Sequence, residues 1–241
     1  MPFTFAHPAI LLPFRKHLSV TGLIIGCMSP DFEYFLRLRI YSNFSHTFIG
    51  VFLFCLPISI IVSILFHQII REPLIENAPK SIYLRTSKYK KTNWINYLKN
   101  NKIKIIFSIL LGTFSHILWD SFTHDDGFFV NQLDLIKSNI TMQQKEIPII
   151  KILQHFSTLI GFIYIFWIFY HLTKSNQTNH RTGYYYFISI VILTLCFVFS
   201  VIKINPNTLK IGNLIVATIS CSFISVLITS LIFKNKKATL N

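Results

Sequence analysis

Residues 48–70, FIGVFLFCLPISIIVSILFHQII, run without an acid, a lysine or an arginine. About 20 apolar residues in a helix cross the hydrocarbon core of a bilayer. Four more stretches approach that length: 103–121, 152–172, 184–204 and 211–233. Polar or turn residues separate them, at Pro73 and Pro79, Asp125-Asp126-Gly127, Asn176 to Gly183, and Asn205-Pro206-Asn207. The pattern predicts an all-α, polytopic membrane helical bundle with about five transmembrane helices and a helical N-terminal region. Pro57 lies inside the first run and is expected to kink it. Residues 18–28, LSVTGLIIGCM, are too short to cross alone. They read as a buried or re-entrant segment ending at Ser29-Pro30.

Composition points the same way. The chain is 52% hydrophobic and 13% charged, with 24 phenylalanines and a mean hydropathy of +0.51. A soluble monomer of that balance would expose more apolar surface than such proteins tolerate. The formal charge of +14 would suggest a nucleic-acid surface in a soluble protein. Residues 80–104 have that look, with Lys88, Lys90, Lys91, Lys99, Lys102 and Lys104 interleaved with Tyr89, Trp94 and Tyr97. In a polytopic chain the same residues read as a loop beside anionic lipid, so the expected partner is the bilayer and no nucleic acid. Cys27, Cys55, Cys196 and Cys221 sit in apolar runs without a CxxC spacing and read as packing residues. The start, MPFTFAHPAILLPF, lacks the basic opening and small-residue cleavage site of a signal peptide, so His7 is expected to be retained.

Orientation follows from the basic residues. The loop 71–102 carries eight Lys or Arg against two acids, and Lys174, Arg181, Lys234, Lys236 and Lys237 fall on the same face. The other face, comprising 1–47, 120–151 and 205–210, is nearly balanced, with eight basic residues and seven acids. The first face is therefore expected to be cytoplasmic, with the C-terminus on that side and the N-terminus outside.

On that map, ligand-type residues gather at the outer side. His7, His46, His116, His124 and His155 fall there, with Asp31 and Asp120. The sharpest local pattern is His116-Ile-Leu-Trp-Asp120. Positions i and i+4 share a helix face, so imidazole and carboxylate can bind one metal or share an orienting hydrogen bond. Ionisable residues at a span end are costly and point to function. Simpler readings exist for each residue: Ser45-His46-Thr47 as a helix cap, Asp31 after Pro30 as a helix start. Glu33 and Asp134 read as solvated acids.

The stretches MPFTFAHPAI at 1–10, GCMSPDFEYFLRL at 26–38, SHT at 45–47, HILWDSFTH at 116–124 and QHFSTLIG at 154–161 closely resemble an uncharacterised bacterial membrane family, domain of unknown function 4184. The likeness covers about two thirds of the chain, and the last two spans carry none of its motifs. It implies a single membrane domain over 1–241, in which 1–172 bears the motifs and 173–241 adds two helices. More distantly, the order His7, Asp31, His46, His116-x3-Asp120 is similar to that of membrane-bound metal-dependent hydrolases and of zinc-dependent phospholipase C. That likeness implies a core of Asp31, His46, His116 and Asp120 around one zinc, with Asp120 bridging to a neighbour served by His7. His124 and His155 would match a third metal position. Two features depart from the pattern. The chain is expected to keep Met1 rather than to offer a processed N-terminal amine, and Leu159 stands where an acid should follow His155.

Histidine nitrogen and carboxylate oxygen suit zinc or another divalent metal, and a catalytic zinc keeps one coordination position open. The expected activity is metal-dependent hydrolysis of a phosphoester or phospholipid-like substrate at the extracytoplasmic face of a bacterial inner membrane. Asp31 and Asp120 are its expected catalytic residues. Phe122, Phe128, Phe129 and Trp119 suit an interfacial position there. The alternative expectation is a non-catalytic metal-binding integral membrane protein.

Overall fold

The computed structural model describes residues 3–142, 145–176 and 180–239. Two 3-10 turns, Thr4–Ile10 and Leu12–Lys16, precede α1 (Val20–Met28) and α2 (Phe32–Arg37). Then come α3 (Phe48–Asn77), α4 (Lys80–Thr86), α5 (Trp94–Asn100) and α6 (Lys102–Asp120). The short helices α7 (Phe128–Gln132) and α8 (Asp134–Lys137) lead to a hairpin, β1 (Asn139–Met142) and β2 (Lys145–Pro148). Three long helices close the chain: α9 (Ile149–Tyr170), α10 (Tyr184–Ile204) and α11 (Ile211–Thr239). Among the described residues, α3, α6, α9, α10 and the Ile211–Lys234 portion of α11 are long and apolar enough to cross a membrane. The fold is thus helical, with five candidate spans, as the hydropathy pattern required. The hairpin, with Ile140 opposite Ile147, is its one addition among the described residues.

Pro73 acts differently from expectation. It was to separate elements, yet the helix continues to Asn77 and breaks at Ala78, whose extended backbone precedes Pro79 as the pre-proline clash demands. Both interior prolines follow a π-helical turn, Val51–Cys55 before Pro57 and Phe66–Ile70 before Pro73. A proline ring clashes with the carbonyl four residues back. A wider turn just upstream relieves that clash without ending the helix.

The chain folds as two compact units that interleave in sequence. They do not divide at residue 172 alone: the second unit also takes residues 32–42 and 61–100. In the first unit (1–31, 43–60 and 101–171) α1 lies directly against α6. A Cβ on Gly26 would meet the Ile109 carbonyl oxygen at 2.4 Å, and one on Gly112 would meet the Cys27 amide at 2.7 Å. Gly22 and Gly26 form a small-xxx-small pair of the kind that lets membrane helices touch backbone to backbone. Small hydroxyls fill the seam. Ser108 Oγ accepts from the Ser19 amide at 2.9 Å, and Ser29 and Thr113 hydroxyls pair at 3.0 Å. The segment 18–28 is therefore buried packing, as read, and it begins at Ser19, whose hydroxyl caps α1. The first 3-10 turn rests on α9, where the Phe3 amide donates to Thr158 Oγ1 at 3.1 Å.

In the second unit α10 and α11 pair, and buried Tyr186 shares a hydrogen bond with Ser230 at 2.7 Å. Trp94, from the lysine-rich loop, is buried with its ring stacked on His67 at 3.9 Å. Glu33 is not the solvated acid expected. It is buried and paired with Arg37 at 2.9 Å, because the i,i+4 spacing of α2 brings the guanidinium over it. Cys27, Cys55 and Cys221 are buried thiols in no disulfide, and Cys196 is exposed.

The α1–α6 seam is the steepest structural dependency in the first unit. Gly112→Val should lower the melting temperature in detergent and cost about 1–3 kcal/mol, the usual penalty of overpacking. Gly161→Ala, whose Cβ would meet only Ala6 at 3.1 Å, should cost less. Equal melting temperatures for Gly112→Val and the wild type would contradict the close backbone packing.

Candidate metal centre

Six ligand-type side chains of the first unit converge, and each arrives for a local reason. His116 and Asp120 share one face of α6, and His124 follows one turn later. Asp31 ends the 3-10 turn Ser29–Asp31 that continues α1, so the glycine seam carries it toward α6. His7 lies in the first 3-10 turn, with its ring stacked on His116 at 3.8 Å. His46 immediately precedes Thr47, whose hydroxyl caps α3 by accepting from the Gly50 amide at 3.0 Å. The capping reading of this stretch is met by Thr47, and the adjacent His46 is brought beside Asp31 and Asp120.

Asp120 is the hub. Its Oδ1 lies 3.7 Å from His7 Nε2. Its Oδ2 lies 3.1 Å from His116 Nε2, 3.3 Å from His124 Nε2 and 3.8 Å from His46 Nε2. Asp31 Oδ1 sits 3.6 Å from His116 Nε2 and 3.7 Å from His46 Nε2. Two triads, His7-His116-Asp120 and Asp31-His46-His116, each keep their donor atoms within 4.8 Å of one another. Buried His and Asp groups of this kind can hold a metal ion.

The orientation of the donors carries the fit. His116 Nδ1 lies 2.6 Å from the Cys27 carbonyl oxygen, which can only accept. That bond fixes a proton on Nδ1 and turns Nε2 toward the acids. Thr4 donates its hydroxyl to Asp31 Oδ2, so only Oδ1 faces the cluster. Yet Nε2 of His7, His116 and His124, Oδ1 of Asp31 and both Asp120 oxygens are buried without a hydrogen-bond partner among the described residues. Buried polar atoms are normally satisfied, and so many together are what a group that could hold a cation would present. The atoms lie near each other without the alignment of hydrogen bonds, as donors aimed at a common point do.

Burial shapes the electrostatics. His7, Asp31 and His116 are fully buried, and Asp120 nearly so. Burial, and then the neighbouring His116, holds the His7 imidazole well below its ordinary value, so it is neutral and available as a ligand. Burial pushes the Asp31 carboxyl up to about 6, against the pull of His116. The side chains of His46 and His124 are 24% and 26% exposed, so the cluster opens on that edge.

His155 is not brought to the cluster. It is exposed and lines a separate recess on α9, because its neighbour Gln154 takes the inward position and donates to the Thr123 carbonyl. Asp126 approaches His124 Nδ1 at 3.7 Å while remaining exposed. Of the interfacial aromatics, Phe128 is exposed and Phe122 stacks on Phe129 at 4.2 Å, whereas the indole of Trp119 turns inward to Ser157. Sequence reasoning passed over Thr4, Gln154 and the Cys27 carbonyl. Backbone carbonyls leave no trace in sequence, and a lone threonine near the start signals nothing. The Gly22-x3-Gly26 pair was the legible clue.

Residues 1–231 match the family model described as Domain of unknown function (DUF4184). The chain belongs to that family. All six clustered residues of this DUF4184 chain lie within the match. No curated protein and no solved structure matches it.

Two measurements test the centre. Metal counted by mass spectrometry should be present in the wild type and negligible in His116→Ala/Asp120→Ala. The pH response of metal-free protein should separate Asp31 from His7. A carboxyl whose folded value is about 6, above its ordinary 3.8, contributes stability that is present below about 4 and lost as pH rises through 6. Asp31→Asn should therefore gain on the wild type between pH 4 and 7, by on the order of 1–3 kcal/mol. The depressed His7 works oppositely, its contribution being lost as pH falls below its ordinary value of 6.5. A melting-temperature difference between Asp31→Asn and wild type that is flat across this range would refute the burial of an ionisable Asp31.

Proposed function

We propose that this chain is a membrane-embedded metal-dependent hydrolase that cleaves a phosphoester, with zinc as the favoured divalent metal. The observation that carries the reading is the convergence of four histidines on Asp120, whose Oδ1 faces His7 and whose Oδ2 faces His116, His124 and His46, with Asp31 beside His46 and His116. A carboxylate so placed is suited to lie between two cations. The all N/O donor set suits zinc and leaves manganese or iron as competitors. The order of these residues, similar to that of zinc-dependent phospholipase C, supports the phosphoester assignment.

A bound divalent metal supplies Lewis acidity toward a phosphoryl oxygen. The protein supplies the rest. Cys27 and Thr4 hold His116 and Asp31 in a single orientation, so the ligands need no rearrangement on loading. His46 and His124 stand at the exposed edge, where a phosphoester would enter. Asp31 and Asp120 hold the negative charge that retains the cation. Exposed Phe44, Phe48 and Phe128 belong to the first unit, as an approach from lipid requires. The excess of Lys and Arg on the other loops supports a site at the outer face of a bacterial cytoplasmic membrane, with the C-terminus inside.

Turnover decides the matter. Purified protein should release nitrophenol from bis(4-nitrophenyl) phosphate, or phosphate or headgroup from a phospholipid, in a metal-dependent manner. Asp120→Ala and His46→Ala should fall to the rate of the buffer blank. A metal-loaded wild type inert toward both substrates would leave a non-catalytic metal-binding membrane protein and end the hydrolase reading.

A further inference from the structure

The exposed face at the start of α9 carries a recess of roughly 400 Å³ lined by Ile147, Lys151, Ile152, His155, Phe156 and Leu159. Its chemistry is divided. Lys151 and His155, at i and i+4, stand side by side on α9. Ile152, Phe156 and Leu159 continue down the helix, each well exposed. The nearest acid of the hairpin, Glu146, falls on the opposite face of β2 from Ile147 and is held by Asn139 at 2.9 Å. Two nitrogen donors thus sit above an apolar floor without an acid between them. The recess is also tied to the cluster. Lys151 Nζ donates to Gln154 Oε1 at 3.4 Å, and Gln154 donates to the carbonyl of Thr123, the residue before His124.

We propose that this recess seats a lipid phosphate, its acyl chain on Ile152, Phe156 and Leu159 and its phosphate between Lys151 and His155. The ligand class is a phosphate ester bearing a long apolar chain. Charge complementarity selects the phosphate, because a neutral lipid leaves the two nitrogen donors unused. The Lys151–Gln154–Thr123 connection puts the bound headgroup beside the turn that carries His124, at the open edge of the cluster. As an account of substrate class this rests on the hydrolase reading; as an account of binding it stands apart. His155 thereby receives a role other than metal ligation.

The test is native mass spectrometry of delipidated, chelator-stripped protein in detergent, with dioleoyl phosphatidic acid, dioleoylglycerol and inorganic phosphate as probes. Wild type should retain phosphatidic acid over dioleoylglycerol, and Lys151→Ala/His155→Ala should weaken that retention about tenfold, as expected for losing charge-assisted contacts. Ile152→Ser/Phe156→Ser should weaken it as well. All these positions are exposed, so the variants should fold and bind metal as the wild type does. Equal retention by wild type and Lys151→Ala/His155→Ala overturns the lipid seat while leaving the metal centre standing. Competition by inorganic phosphate as effective as that by phosphatidic acid overturns it too, in favour of a simple anion site. A wild type that binds no metal yet shows the variant-dependent lipid shift supports the seat and sinks the hydrolase reading.

Discussion

Backbone contact between α1 and α6 is the constraint on which the candidate site depends. Where Gly22, Gly26 and Gly112 meet the facing helix, no side chain fits, and the two backbones come close enough for hydroxyls to bridge them. That proximity aligns the Cys27 carbonyl with His116 Nδ1 and delivers Asp31 to the far ring nitrogen. A wider seam would leave the HxxxD pair of α6 as an isolated imidazole and carboxylate. In hydrocarbon, where no hydrophobic force draws helices together, small residues and interhelical hydrogen bonds supply the attraction.

The cluster gathers ionisable groups in a place where desolvating them costs stability. Two acids and four imidazoles lie where water is largely excluded, and their inward atoms lack hydrogen bonds among the described residues, apart from those of His46. Desolvated charges of this kind are retained when a counter-charge returns the energy. The outer atoms are held instead: Asp31 Oδ2 by Thr4, His116 Nδ1 by Cys27 and His46 Nδ1 beside Ser45 Oγ at 3.0 Å. These three side chains are held from outside, whereas both ring nitrogens of buried His7 lack a hydrogen-bond partner among the described residues. Such outer partners set the tautomer and direction of the ligands they hold.

Much of the site was legible in residue spacing. His116 and Asp120 are neighbours on any helix, and the end of the span at Asp120 follows from the polar residues after it. Hydropathy placed His7, Asp31 and His46 toward the same side, and the structure gathers them. His155 shows the limit of that reasoning. Depth along a span is a one-dimensional coordinate, and the rotation of α9 turns Gln154 inward instead. Glu33 failed in the complementary way, since charge alone suggested solvent whereas Arg37 one turn on allowed burial. The persistence of α3 through Pro73 depended on a π turn that residue identities do not announce.

The sequence alone determined that five apolar helices form, because length and hydropathy decide that before any packing. It determined too that an imidazole and a carboxylate share a face at the end of α6. Only the tertiary structure decided which distant histidines join them, which ring nitrogen each presents and which edge stays open. Those outcomes turn on helix rotation and on backbone carbonyls, and both are set by close packing at glycines rather than by the ligand residues themselves.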